Sequence, residues 1–332
     1  MRIGIIYEIT DNPYFSDSPV EFSDKISEFV YPSEINDICK SLEELNYDYE
    51  IIDGPQGLLS SIEKKNICNL YFNKSIGFKG LERKIPVPAI SLLYNLPIIG
   101  SNAYTMTLAR HKYHTNRLLQ GMGFTVPEAW YISQLEDIPN NICFPVILKP
   151  NEESDSLGIS ENSVYTSMAG MKEHIEYLLT TFKQPVIIEE FIEGEEWKMS
   201  VIGNGKNAHT YGGVNSLKKG KIMIGTLQTR EDILENNLSY KDLDRNERYV
   251  EAKLIAESIH SNLGLNDYSR CDFRLKDDKL YCMEVSTHPF LSNSDRYSSF
   301  VKAAKQELIC YNNVIKAIIQ VSCERNKLYA TV

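Results

Sequence analysis

The sequence is poor in everything that would mark a secreted, membrane-bound or nucleic-acid-binding protein. Its seven cysteines (Cys39, Cys68, Cys143, Cys271, Cys282, Cys310, Cys323) are odd in number, widely scattered and form no C-x-x-C pair. That excludes a disulfide framework and a cysteine-based zinc site, and implies reduced thiols. No stretch approaches the ~18 consecutive apolar residues of a membrane helix. The opening MRIGIIYEIT has one arginine and an apolar run broken by Tyr7 and Glu8, which does not read as a leader. A cytoplasmic protein without a membrane partner is expected. No run of Lys and Arg exceeds a pair, and the formal charge of -10 disfavours nucleic acid as a partner. With only 18 Gly and 13 Pro in 332 residues, no low-complexity segment and no internal repeat, the composition is that of an ordinary folded chain.

What is present suits two or three closely packed domains of an α/β protein. RIGIIYEI is a compact apolar run suited to a buried parallel strand. SEINDICKSLEELN places Ile35, Ile38, Leu42 and Leu45 at helical spacing, with Ser33 as its cap, and YEIIDG returns as a second strand. Residues 11–30 between them form an acidic, aromatic insertion read as a long loop. CNLYFN and SLLYNLPIIGSNA complete a first unit over 1–108. A second unit over 109–186 starts with a helix around LARHKYHTNRLLQGMG. It continues through the strand FPVILKP, the polar loop NEESDSLGIS and the helix SMAGMKEHIEYLLTTF. The third unit, 187–332, holds the strands EWKMSVIGNG and CDFRLKDDKLYCMEVS. Its two long helices are VEAKLIAESIHSNLG and SSFVKAAKQELICYNNVIKAIIQVSC.

Four short segments, far apart in the chain, fit one chemical job: His111-Lys112, VILKP with Lys149, EEFIEGEE from Glu189 to Glu196, and RCDF…MEVS from Arg270 to Ser286. Lysines for phosphate oxygens, a strand edge with carboxylates for adenine and ribose, and an Asp/Glu pair for magnesium are what a nucleotide site needs. Each segment alone is commonplace, since Asp-Phe and Glu-Val dipeptides abound in sheets and an acidic pair is usually a solvated face. Their order is the signal.

Together they resemble the D-alanine–D-alanine ligases of the ATP-grasp type. VILKPNEESDSLGIS is similar to that family's lysine-ending strand and phosphate loop, IIEEFIEGEEW to its hinge, and YSRCDFRLKDDKLYCMEVSTHP to its metal segment. FNKSIGFKGLERKIPVPAISLLYNLPIIGSNAYTMTLARHKYHTNRLL resembles the matching stretch of a ligase-like branch. The resemblance implies an ATP-grasp fold, with an N-terminal β-α-β domain and two subdomains clasping the nucleotide. The activity implied is ADP-forming ligation of an amino-acid-like carboxylate to an amine through an acyl phosphate. Lys149 and Lys112 would meet the phosphates. Glu189 and the backbone of Glu190, Phe191 and Ile192 would face the adenine, with Glu196 on the ribose. Asp272, Glu284 and Ser286 would hold magnesium, two ions in all, a role manganese can also fill. Arg270 would neutralise the oxyanion, and Ser156 would donate to the γ-phosphate within the loop Asn151–Gly158. The stretch from Tyr211 to Asn246 would cover the site, with Lys218, Lys219 or Lys221 near the phosphates. The related ligases are commonly homodimers, and small-molecule carboxylate and amine substrates are the implied partners.

The sequence also departs from the family pattern. Ser286 stands where the family has Asn, Phe290 where it has Gly, and Ser154 where it has Gly, while Asp155 brings a negative charge toward the phosphates. The G-E-D-G segment is missing, and only Glu28 and Glu34 are candidates for the amine-binding glutamate. Two alternatives therefore stand beside the dipeptide-type ligase: transfer of the acyl group to another amine or a carrier thiol, and a nucleotide-binding relative without turnover. His111 and His114, one helical turn apart, read as surface or packing residues rather than metal ligands.

Overall fold

The computed structural model describes residues 1–8, 32–77, 82–154, 156–223, 232 and 237–328. The insertion at 11–30, Glu28 and Asp155 lie outside these residues.

The first unit is a parallel sheet in the order β2-β1-β3-β4, built from β1 (Arg2–Tyr7), β2 (Asp48–Asp53), β3 (Leu70–Asn73) and β4 (Ile98–Ile99). Ile3, Ile5 and Ile6 of β1 are fully buried because both faces of this sheet are covered, as a continuous apolar run predicts. α1 (Pro32–Glu44) contributes Ile35, Ile38 and Leu42 to one side. α2 (Gly54–Glu63) and α3 (Pro86–Leu93) close the other with Leu58 and Val87. Ser33 is not a cap: the helix already includes Pro32, whose fixed φ suits a first turn, so Ser33 lies inside it.

A single helix was expected over 108–123, but the chain forms α4 (Ala103–Arg110) and α5 (Lys112–Gly121). They part at His111, whose extended backbone (φ -81°, ψ 92°) turns the Lys112 side chain toward the middle of the molecule. The second sheet, in the order β5-β8-β6-β7, comprises β5 (Ala129–Ile132), β6 (Val146–Pro150), β7 (Val164–Tyr165) and β8 (Val186–Glu190), backed by α6 (Met171–Phe182). Because β8 pairs with both β5 and β6, this sheet runs past residue 186 to Glu190.

The third sheet is antiparallel: β11-β10-β9-β13-β14, with β12 also on β10. Its strands are β9 (Glu195–Ile202), β10 (His209–Lys218), β11 (Lys221–Ile222), β12 (Leu238–Asp242), β13 (Tyr268–Lys276) and β14 (Lys279–Ser286). α7 (Glu247–Asn262) covers one face, packing Tyr249, Ala252, Ala256 and Ile259 on Trp197, Met199, Cys271 and Phe273. The stretch 211–246 is therefore not one covering loop. Most of its described residues are strand, because Gly212, Gly213 and Val214 are buried under neighbours rather than exposed as polar loop residues.

The expected last helix is also two, α8 (Ser299–Leu308) and α9 (Tyr311–Arg325), broken where Ile309 takes a φ of 70°. α9 returns to the first sheet and shares its core through Val314, Ile315 and Ile318. The first and last described elements thereby share one core.

Candidate active site

A strand's side chains alternate, so residues two apart share a face. On β9 that puts Glu196, Lys198 and Ser200 on the face away from α7. On β13 it puts Arg270, Asp272 and Arg274 there. The register aligns them in rows: Glu196 opposite Arg274, Lys198 opposite Asp272, Ser200 opposite Arg270. β14 continues two of these rows, with Glu284 beside Asp272 and Ser286 beside Arg270. Between β9 and β13 the opposed charges are of opposite sign, which stabilises such pairs, whereas Asp272 and Glu284 put two carboxylates side by side.

The distances show how tightly this face is wired. Arg270 grips Asp272 with both forks, Nε to Oδ1 at 2.6 Å and Nη2 to Oδ2 at 2.8 Å. Lys198 Nζ lies 3.0 Å from Asp272 Oδ2 and 2.7 Å from Glu196 Oε1. Glu196 also accepts from the Ser216 hydroxyl at 3.1 Å and faces Arg274 Nη2 at 3.6 Å. Arg274 donates to the Ile192 carbonyl at 2.9 Å and lies 5.3 Å above the Phe191 ring, joining sheet to hinge.

Burial by itself would push the Asp272 and Glu196 carboxyls up. The cations outweigh it, Arg270 and Lys198 for Asp272 and Lys198 and Arg274 for Glu196, so both are held below the usual carboxylate range. Burial would likewise pull the Lys198 ammonium down, and Asp272 and Glu196 overcome it and raise its pKa. Removing any one partner strands a buried charge.

The opposite wall comes from the second sheet. Lys149 at the end of β6 is ion-paired with Glu189 of β8, and Lys112 at the start of α5 donates to the Glu153 carbonyl. Burial lowers the Lys112 pKa; Lys149 and Arg110 add to that, and Glu284 across the cleft opposes it. The segment after β6 is pinned by Glu153, which meets Arg83 at 3.1 Å and Arg110 at 3.5 Å and accepts from Gln184 at 2.7 Å. Gly158 closes the loop at φ +76°, where a Cβ would meet Pro150 at 2.6 Å; only glycine fits that turn.

The cleft between the walls has a volume of about 550 Å³. It is lined by Lys112, Lys149, Ser156, Phe191, Glu196, Arg270, Asp272, Glu284 and Ser286, together with Glu34 and Lys74 from the first unit. The family model described as D-ala D-ala ligase C-terminus matches residues 122–320. The chain belongs to this D-alanine–D-alanine ligase family.

Among family relatives, the D-alanine–D-alanine ligase of Fusobacterium nucleatum is 26% identical over 77% of this chain and 83% of its own. The D-alanine–D-alanine ligase of Bacillus anthracis, solved with ATP, superposes with a TM-score of 0.74 at 19% identity over 99% of each chain. The VanG D-Ala:D-Ser ligase of Enterococcus faecalis gives 0.70 at 16% identity, covering 97% of this chain and 99% of that one. At such identities the likeness of the structures is one of fold, and the fold is the ATP-grasp.

Three of the expected nucleotide residues are not on the cleft wall of this D-alanine–D-alanine ligase family member. Glu189 is turned onto Lys149, while the Glu190 side chain accepts from the Glu128 N–H at 3.3 Å. The backbone N–H groups of Glu190 and Phe191 cannot serve a base, because they donate to the carbonyls of Glu128 (2.8 Å) and Pro145 (2.9 Å). Ile192 differs: its carbonyl accepts from Arg274 and Gly194, and its N–H has no partner among the described residues. Of the three candidate covering lysines, Lys218 is tied to Glu161 at 2.7 Å and Asp232 at 2.8 Å, Lys221 is exposed, and none lines the cleft. His111 pairs with Glu82 at 3.1 Å and Glu152 at 3.3 Å and stacks near His114, an anchoring role.

Sequence reasoning missed Lys198, Arg274 and Lys74. The first two were legible as same-face neighbours of Glu196 and Asp272 once the strands were drawn. Lys74 carried no local signal. It is 2% exposed, lies 2.9 Å from Glu34 and donates to the Pro289 carbonyl at 3.3 Å. Glu34, a candidate for amine recognition, is thus in the cleft wall, and it also accepts from the Leu291 N–H at 2.6 Å. His288 donates through Nε2 to the Asn73 carbonyl at 2.8 Å, and burial with Lys74 and Lys84 nearby lowers its pKa to about 3.

The donor set suits magnesium: two carboxylates and a hydroxyl on adjacent strands are hard oxygen ligands, the kind that leave room for water and phosphate. The Glu284 side chain has no hydrogen bond or close ion pair among the described residues and lines the cleft, open to a cation. Asp272 is shared with Arg270 and Lys198.

Proposed function

We infer that this chain is an ATP-dependent carboxylate–amine ligase that makes an acyl phosphate from an amino-acid-like carboxylate and joins it to an amine. The observation that carries the reading is the pairing of walls across one cleft: Lys112 of α5 and Lys149 of the second sheet line it together with Arg270, Asp272 and Glu284 of the third. A carboxylate oxygen attacks the γ-phosphorus, ADP leaves, and the amine nitrogen then attacks the acyl carbon, expelling phosphate and losing a proton. Both substrates are anionic where they meet, so cations must hold them together.

Lys149 exchanges its Glu189 partner for phosphate oxygens, and Lys112 supports it from the start of α5. The Ile192 N–H and the Phe191 ring meet the adenine, and Glu196 the ribose hydroxyls. Arg270, oriented by Asp272, faces the oxyanion formed on amine attack. The Ser156 hydroxyl and the loop amides meet the γ-phosphate. Glu284 and Ser286 would hold magnesium, which when bound offsets phosphate charge, beside Asp272 with its bonds to Arg270 and Lys198; manganese fits the same oxygens. Glu34, Lys74, Phe290 and Tyr297 line the acceptor end. The domains proposed are an N-terminal unit, a middle unit running through β8 and a C-terminal unit. A cytoplasmic homodimer is the proposed working form; among the described residues no helix is long and apolar enough to cross a membrane.

The test is ADP release from the pure protein with magnesium-ATP and pools of D- and L-amino acids, D-alanine and D-serine included, with products read by mass spectrometry. ADP and a new amide in one pool are expected. Tight ATP binding without ADP above background in any pool would sink the ligase reading.

A further inference from the structure

Resting on that ligase reading, we propose that Lys198 takes the place of one of the two divalent cations, so that the loaded site holds a single metal ion per ATP, on Glu284. Lys198 sits in the same cross-sheet row as Asp272 and Glu284, with Asp272 between them. Its ammonium touches both the carboxylate expected to bind metal and the carboxylate expected to bind ribose, at 3.0 Å and 2.7 Å.

Asp272 has little left to offer a second ion. A carboxylate has about four lone-pair sites. Arg270 Nε occupies one on Oδ1, and Arg270 Nη2 and Lys198 Nζ occupy two on Oδ2. A divalent ion on the remaining site would lie against a guanidinium and an ammonium, with no solvent to screen them, since Lys198 is 5% exposed and Asp272 6%. Neither cation can swing away cheaply, because each would leave a buried carboxylate behind. Glu284 is the contrasting case, a cleft-lining carboxylate whose side chain makes no hydrogen bond or close ion pair among the described residues and feels Lys112 and Arg270 only through their fields.

The ammonium can also do the missing ion's work. Lysine has three N–H donors, two are taken by Asp272 and Glu196, and the third is left for a phosphate oxygen. A metal ion at that point would have to shed water before binding, whereas the ammonium is already dry and held on two sides. Charge beside the transferring phosphoryl group is thereby built into the chain.

The experiment counts metal. The full-length protein with a saturating non-hydrolysable ATP analogue is titrated with Mn2+, free ion being read by electron paramagnetic resonance and nucleotide binding by calorimetry. One Mn2+ per bound nucleotide is expected for the wild type and for Lys198→Arg, and two for Lys198→Thr. Two Mn2+ on a wild type that binds nucleotide overturns the proposal alone, as does a count of one in a nucleotide-loaded Lys198→Thr. Absence of nucleotide binding with any divalent ion overturns the ligase reading and this proposal with it. The wild-type count is decisive by itself where Lys198→Thr does not fold.

Discussion

Replacing Lys74 with Met removes one partner of the ion pair that joins the start of α1 to the acceptor end of the cleft. The side chains of Lys74 and Glu34 are 2% and 1% exposed and 2.9 Å apart. At an effective dielectric of about 20 their attraction is about 6 kcal/mol, offset by several kcal/mol of lost hydration per ion, so the intact pair is close to neutral for stability. Breaking it is not. Glu34 would keep the Leu291 N–H at 2.6 Å on Oε1 and its place in the first turn of α1, while its buried Oε2 has no hydrogen-bond partner among the described residues. A helix N-terminus stabilises a partly buried carboxylate by up to about 2 kcal/mol, while an unpaired buried charge costs about 3–5 kcal/mol. Lys74→Met should therefore destabilise by about 1–3 kcal/mol. The Lys74→Met/Glu34→Gln double variant should regain at least about 1 kcal/mol of that. Urea unfolding of the wild type, both single variants and the double variant, followed by far-UV circular dichroism at its first transition, closes a double-mutant cycle. A coupling below about 0.5 kcal/mol, or a Lys74→Met transition indistinguishable from wild type, would refute the view that this pair anchors the acceptor end.

Arg270→Ala should lower kcat by about 10²–10³-fold while changing the ATP dissociation constant much less, because its charge is matched to an oxyanion that exists only during reaction; steady-state kinetics beside calorimetry checks the split. Lys149→Met should weaken nucleotide binding by roughly 10–100-fold, the size of a lost hydrogen bond to a charged group, and leave Glu189 unpaired; fluorescence titration with an ATP analogue reads it. Asp272 and Glu196 have carboxyls depressed in the fold by Arg270, Lys198 and Arg274. Their stabilising contribution is complete above the unfolded values near pH ~4 and is lost as pH falls through the lower folded values. Thermal midpoints should accordingly hold from neutrality to about pH 5 and then fall, and Asp272→Asn, destabilised throughout, should show a shallower acid decline.

The elements that announced themselves were those whose burial is uniform along the chain. RIGIIY became β1 because both faces of a parallel sheet are covered, and MKEHIEYLLTTF became α6 because its apolar stripe repeats at helical spacing. Breaks in long apolar patterns stayed hidden. Nothing in LARHKYHT or ELICYNN warns that His111 turns extended or that Ile309 takes a positive φ, since neither segment holds a glycine or proline. The stretch around Gly212 looked like loop because its strand has small and polar residues on both faces, and it is a strand because β9 and α8 press on it. Cleft-lining residues were readable where the expected chemistry requires one type, as at Lys149, Arg270 and Asp272. Lys74 was not, because its partners Glu34 and Pro289 are far away in sequence and only the fold brings them together.

An acidic chain can hold a polyphosphate only where its charge is locally reversed. The protein carries a formal -10, yet nine basic and five acidic side chains line the cleft. Those acids do not merely dilute the cations. Glu153 holds the segment after β6 against Arg83 and Arg110, Asp272 is bound to Arg270, and Glu189, behind the wall, holds Lys149. Each of these three carboxylates fixes a cation at or beside the cleft, and preorganised charge stabilises a developing anion more than mobile charge does. In the proposed reaction Lys149 exchanges Glu189 for phosphate, and Glu189, buried in β8, is not among the residues of the cleft wall. The Lys198 and Arg270 pairs lie on the other sheet and share no residue with it, so the proposal assigns binding and chemistry to separate ion pairs.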